Sequence, residues 1–402
     1  MTIVRRMIGG LRFFVQIVVL RLAYLIARVR RGSSPKDLDW VVGPYEIASL
    51  VFDIARAIPG SLSVVLARHR YYDVPYGWSP GPLSRLPGAA NRRDLFLGPW
   101  KLGSLAARAR GFVYVGSEGF LNSGRDYREH EFRFLRRRGI RIVCSFTGND
   151  IRSPKRMREL ERESGHPNLA TYLADVNPVF GTDAYDDIKR RVAAVADRYA
   201  DLIYNADVDQ RSYLERATLP TRYFYPDDEI TTSFDRFAEL DRPVVVHAPS
   251  SPIIKGTQLV RAAVAALLED GYDFEYIELI GVPNAEVKNA LRRAHIVLNE
   301  FYAFTPGVFG VEAMAAGAAL VTSADPRVEL QLPDDSAEAW LVTPPHRVHT
   351  HLQLLLDEPD RLEPLARRGA QWVRDHASAS ASGAAMTAEL RRVLDEPLRA
   401  LY

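Results

Sequence analysis

This chain lacks the features that would sort it quickly into a chemical class. There is one cysteine, Cys144, in 402 residues, so an intramolecular disulfide framework is excluded and a reducing compartment fits. No Cys/His cluster has zinc-site spacing. His346, His349 and His351 lie close together but read as a loop ahead of a Leu-rich helix. Neither G-x-G-x-x-G nor a Walker A sequence is present, which removes motif support for a dinucleotide oxidoreductase or a P-loop kinase. Hydrophobic content of 47% and charged content of 25% are those of a soluble globular protein, and the length predicts two domains.

Another absence is local. Residues 1–36 contain seven arginines and Lys36 but no acid, a charge of +8 in a chain whose net charge is +2. Met7 to Ala27 is apolar apart from Arg12, Gln16 and Arg21. A membrane span would carry a penalty of about 2.5–3.5 kcal/mol for each central arginine. A small-residue cleavage site does not follow the run, which disfavours a removable signal peptide. Arg12 and Arg21 fall on opposite sides of a helix, so the amphipathicity is imperfect. The expectation is a helix lying on an anionic membrane surface, anchored by Arg5, Arg6, Arg28, Arg30 and Arg31. A helix packed on the body of the protein is the alternative. Nucleic acid is not an expected partner, because the aromatics Phe13, Phe14 and Tyr24 sit in the apolar run rather than on a stacking platform.

Beyond the linker Gly32–Pro35 the chain alternates strand and helix signals. Strands are expected at 39–42, 61–67, 112–115, 140–144 and 202–204, with helices at 45–57, 127–138 and 188–200. Residues 71–99 read as a long functional loop. The basic run Arg133, Arg136, Arg137, Arg138 and Arg141 reads as a solvated helix face. A second α/β region follows the polar stretch 227–242, with strands at 243–247, 276–280, 296–298, 320–322 and 340–342. Ligands of such doubly wound sheets bind beyond the carboxyl ends of the strands. The segments 249–255, 281–284, 299–307 and 323–326 should therefore converge on one crevice.

Within that region Thr305 to Gly317 is the most informative stretch. A Gly-containing loop that opens a helix presents free N–H groups to an anion. Glu312, expected early in that helix, is placed to accept ribose hydroxyls. An ordinary strand–helix–strand unit with permissive glycines has the same spacing.

His247-Ala248-Pro249-Ser250-Ser251 with Lys255-Gly256-Thr257, then Gly281-Val282-Pro283-Asn284, then Asn299-Glu300 leading to Glu312-Ala313-Met314-Ala315-Ala316-Gly317, resembles the donor domain of GT-B retaining glycosyltransferases (glycosyl transferases group 1, family 4-like). Gly43-Pro44-Tyr45-Glu46-Ile47-Ala48 and Phe146-Thr147-Gly148-Asn149-Asp150-Ile151-Arg152 resemble the N-terminal half of the same group. The resemblance implies two Rossmann-like α/β domains facing each other across a cleft, preceded by the basic apolar helix. The expected divisions are 1–36, an acceptor-side domain at 37–235, a donor domain at 236–375, and a C-terminal helix at 376–402 packing back on the first domain.

The resemblance further implies transfer of a sugar from a nucleoside-diphosphate sugar to a glycan or lipid-linked acceptor hydroxyl, with retention, no required cofactor and no metal. Lys255 and Glu312 would be the catalytic residues. Gly281, Val282, Asn299, Glu300, Thr305, Gly307 and Val308 would bind the donor; Gly43, Gly148, Asp150 and Arg152 would line the acceptor side. Closure about residues 227–242 would exclude water. Two departures stand out. Phe304 occupies the place of a glutamate found in many members, leaving Asn299 and Glu300 to read the sugar. Pro252 stands where an arginine often accompanies the lysine. A catalytically silent scaffold and a sugar-nucleotide epimerase of similar architecture remain alternatives. The expected location is cytoplasmic, on the inner face of a membrane.

Overall fold

The computed structural model describes residues 2–68, 74–81, 89–121, 126–238 and 240–399, with side chains from residue 9 onward except those of Ala89 and Asn91. Residues 69–73 and 82–88 of the expected long loop, and the side chains of Arg5 and Arg6, lie outside this set.

Among the described residues, ten strands form two five-stranded parallel sheets. The first joins β1 (Leu38–Gly43), β2 (Ser61–Ser63), β3 (Ala109–Val115), β4 (Arg141–Ser145) and β5 (Leu202–Tyr204) in the order β2-β1-β3-β4-β5. The second joins β6 (Val244–His247), β7 (Glu275–Glu278), β8 (Ile296–Leu298), β9 (Ala319–Thr322) and β10 (Leu341–Val342) in the order β10-β9-β8-β6-β7. Both sheets therefore share one winding. In each, the first and third strands of the unit are neighbours and their connections depart to opposite sides, which opens a crevice at their carboxyl ends.

Side-chain alternation accounts for the layers. Val41, Phe112, Tyr114, Ile142 and Cys144 pack on one face of the first sheet. Trp40, Val42, Val113, Val115 and Val143 pack on the other. Both faces are covered, so these strands read as continuous apolar runs. The second sheet repeats the pattern, with Val246, Val297 and Leu320 on one side and Val245, Ile296, Leu298 and Val321 on the other. Its edge strand β7 is half-exposed and carries Glu275 and Glu278, paired with Arg293 and Arg261; such charges discourage pairing with another chain.

Helix α1 (Thr2–Arg31) lies on the first domain, along α3 (Gly98–Ala106) and α4 (Glu129–Arg136). A Cβ at Gly103 would stand 2.3 Å from the Leu20 carbonyl oxygen, so the α1–α3 approach requires glycine. Gln16 donates to the Asp94 carbonyl at 2.7 Å, and Phe13 and Tyr24 meet His130 and Phe134 edge-on. Helix α6 (Ala379–Asp395) returns to the first domain. Its Met386, Leu390 and Val393 join the apolar layer beneath β1 and α2 (Leu50–Ala57), and Glu389 accepts from Tyr204 and Arg222 at 2.6 Å.

Several expectations need correction. The helix expected from Tyr45 starts at Leu50. The Glu46 carboxylate accepts the N–H groups of Ile47, Val51 and Phe52, and Ala48 and Ser49 turn into the left-handed region, with φ 49° and 64°. The strand expected over 61–67 ends at Ser63. Residues 89–99 are helical rather than loop. A π turn at Arg93–Leu97 precedes Pro99, and this widening accommodates a residue that has no N–H to return. Arg136 and Arg141 are not solvated. They bury against Asp201, at 2.6 and 3.3 Å, and donate to carbonyls of the C-terminal segment 396–399. Arg138 stacks on Phe134 and Tyr24. His349 and His351 lie in a helix, Val348–Asp357, where His351 bonds Thr343. Cys144 is buried, which pushes its thiol up to about 11 and leaves it unreactive.

Candidate functional site

The crevice beyond β6 and β8 is a cavity of about 460 Å³. Its walls come from Ala248, Pro249, Ser250 and Lys255 after β6, from Leu279, Gly281 and Val282 after β7, and from Asn299 after β8. Val308, Phe309 and Glu312 on α5 (Gly307–Ala315) complete it, and Ala48 closes it from the first domain. Three of the four expected segments therefore meet. The fourth, 323–326, does not line the cavity; Ser323 instead holds the carbonyls of Glu300 and Ala303 from behind.

Lys255 ends a one-turn helix, Pro252–Lys255, and Gly256 follows with φ 76°, which only glycine accepts without strain. Its ammonium is paired with the Glu300 carboxylate. Glu300 is buried, and burial holds its carboxyl above the ordinary range while the lysine pulls it back. Among the described residues, Glu300 reaches the cavity through Lys255 rather than lining it. The Asn299 amide donates to the Pro306 carbonyl at 2.7 Å, which fixes the loop before α5. Asn299 lines the cavity, and its carbonyl oxygen is buried without a hydrogen-bond partner.

Glu312 is the sixth residue of α5, in its second turn rather than in its first. It is buried, which raises its carboxyl, and it accepts from Asn284 at 3.2 Å. Thr305 and Gly307 do not line this cavity. Gly307, with φ 63°, faces Glu300. Val308 and Phe309 are the first-turn residues of α5 that do face the cavity.

The acceptor-side residues divide. Gly43 ends β1 where a Cβ would meet the Val64 carbonyl oxygen at 2.1 Å, so its role is close packing. Gly148, with φ 51°, opens the short turn Gly148–Asp150. Asp150 accepts from Thr147 at 2.9 Å, faces Gly116 at the end of β3, and burial raises its carboxyl. Arg152 is spent internally. It binds Asp209 through Nη2 at 2.8 Å and Asn149 through Nη1 at 2.7 Å. A second cavity, about 240 Å³, shares Ala48, Asn284, Val308 and Glu312 with the first and extends to Asp53, whose carboxyl burial pushes up to about 6.

The sequence reading missed the contacts that hold the two domains together. Asp209 Oδ1 accepts the Phe304 N–H at 2.7 Å, so the backbone at the altered position is tied to the first domain. Glu329 accepts the N–H groups of Val208 and Asp209 at 2.8 and 2.9 Å. The polar run Asp207-Val208-Asp209 after β5 was the available signal. Among the described residues no group of three or more His, Cys, Asp or Glu is placed to hold a metal ion.

Comparison with known proteins agrees with this geometry. Residues 257–388 match a family model described as glycosyl transferase-like. No curated protein matches the sequence. Sucrose-phosphate synthase from Thermosynechococcus elongatus superposes with a TM-score of 0.59 at 12% identity, over 89% of this chain and 99% of that one. WaaG, a glycosyltransferase involved in lipopolysaccharide biosynthesis, gives 0.51 at 12% identity over 88% and 99%. Anabaena HepE, in complex with UDP-glucose, gives 0.50 at 13% identity over 88% and 98%. Identities this low speak to fold. Two matched parallel sheets flanking a cleft, with a glycosyl transferase-like segment over 257–388, make this a protein of the GT-B glycosyltransferase fold.

Proposed function

We propose that the chain transfers a sugar from a nucleoside-diphosphate carrier to an acceptor hydroxyl. The observation that carries this reading is the 460 Å³ cavity, where Lys255, the first turn of α5, Glu312 and the Gly281–Val282 backbone meet. In the reaction the bond from the anomeric carbon to the diphosphate oxygen breaks, and negative charge grows on the leaving group. Lys255 exchanges Glu300 for the diphosphate. With the N–H groups of Val308 and Phe309 it meets that charge where it develops. Glu312, a buried acceptor, takes the ribose hydroxyls, and the backbone after β7 frames the base. The unpartnered Asn299 oxygen takes a hydroxyl of the sugar, in place of the carboxylate that Phe304 cannot supply. The acceptor enters from the Asp150 side of the cleft. A glycan or lipid-linked acceptor, and retention at the anomeric carbon, follow from the resemblance.

Transfer assays with a panel of nucleotide sugars test the reading. Lys255→Ala and Glu312→Ala are each expected to lower kcat/KM by roughly 10²–10³-fold. Unaltered transfer in both variants would contradict the site. A product isomerised without any acceptor would identify an epimerase instead. Nucleotide binding without turnover would identify a scaffold.

A further inference from the structure

Helix α1 has an outward face that the fold leaves bare. Leu11, Phe14, Val18, Leu22, Leu25 and Val29 are all exposed, Leu11 to 66% and Val29 to 79%. At 100° per residue they fall within an arc of about 80°. The opposite face, with Gln16, Leu20 and Ala23, is buried against α3 and α4. Arg21 and Arg28 border the bare strip on one side, while Arg12 and Arg30 lie about 80° beyond its other edge, toward the buried face. Arg137, just past the end of α4, is exposed. Phe96 and Trp100, on the segment packed beside α1, are exposed as well.

We propose that this face inserts into the interfacial layer of an anionic lipid bilayer, with α1 lying in the membrane plane. An apolar strip about one side-chain layer deep, bordered on one side by Arg21 and Arg28, whose stems can bury while their heads reach phosphates, matches a headgroup–acyl boundary. The charge selects lipid over a second copy of the chain. Residues 1–36 hold no acid, so pairing two strips would set arginine rows against arginine rows. Packing selects a helix in the plane over a span. Residues 9–31 are long and apolar enough to cross a bilayer, with mean hydropathy 1.8. Crossing would strip Leu20 from its core and leave Gly103 and the Asp94 carbonyl uncovered. The membrane-facing domain is then the acceptor-side one, and the donor domain stays in water.

Flotation of the full chain with vesicles tests this. Binding is expected to vesicles containing about 30% phosphatidylglycerol, to weaken with salt, and to be absent with phosphatidylcholine alone. The variant Val18→Asp/Leu22→Asp/Leu25→Asp changes only exposed positions, so its thermal midpoint should match the parent while vesicle binding falls at least tenfold. Arg21→Glu/Arg28→Glu/Arg30→Glu should lose the preference for anionic lipid. Alkaline carbonate should release the bound protein. Retention through carbonate would show a span. A parent chain that ignores anionic vesicles, or one whose dimer the aspartate variant dissociates, would overturn the proposal.

Discussion

Lys255 and Glu300 stand 45 positions apart and meet in the free protein. The reaction proposed above requires them to separate. When a diphosphate draws Lys255 away, Glu300 is left buried beside new negative charge, and its carboxyl rises further. Donor binding should therefore take up a proton. Affinity is greatest below the free-state pKa and declines as pH climbs to the higher bound-state value, the sign of a group whose pKa binding raises. Calorimetry in two buffers of different ionisation enthalpy reads the uptake directly; Glu300→Gln should abolish it and flatten the pH dependence. Equal heats in both buffers would place Lys255 on Glu300 throughout. The orphan oxygen of Asn299 makes a separate prediction. Asn299→Leu removes one polar contact to the sugar, so kcat/KM should fall roughly 10–100-fold with little change in affinity for the nucleoside diphosphate alone. That Lys255, Asn299 and Glu312 share one crevice was legible because each lies in the segment or helix that follows a strand. The lysine–glutamate pair was not, since periodicity says nothing about which side chain 45 residues away will neutralise a charge.

Among the elements, α1 shows most clearly what sequence periodicity leaves open. Its residues spelled an apolar helix with scattered arginines, and both the membrane surface and the protein body were reasonable partners. The structure gives it one apolar face for the body and a second for solvent, a division invisible without knowing where Gly103 lies. Gly103→Val should push Leu20 away and cost about 1–3 kcal/mol of stability, read as a lower urea midpoint, with α1 more open to protease. An unchanged midpoint would mean that α1 does not pack as described. Strands β4, β6, β8 and β9 were placed within one residue, and β3 to its end but three residues short of its start, because buried parallel strands announce themselves as short apolar runs. The start of α2 was misplaced because Glu46 caps it from outside the helix, and 89–99 was misread because proline and glycine suggested a loop that a π turn absorbs.

At the scale of the whole molecule, the alternation of strands and helices was enough to anticipate two doubly wound sheets, and the carboxyl-end rule placed the cavity. Their common winding, and the clasp between them, came only with coordinates. Asp209 to Phe304 and Asp209 to Glu329 span 95 and 120 residues, and each uses a backbone N–H, which no residue type advertises. Glu329→Ala frees the loop at 207–209, so the donor-free protein should sample wider separations of the two sheets and show a larger radius of gyration in solution scattering. A radius equal to that of the parent would assign the clasp to local stability.

The donor site remains the central claim, and one titration meets it most directly. Calorimetric titration of the parent, Lys255→Ala and Glu312→Ala with UDP, ADP and GDP should give one diphosphate that binds the parent at a single site and binds each variant at least tenfold more weakly. If none binds the parent, or if the variants bind as the parent does, the cavity between β6, β8 and α5 does not hold a nucleotide.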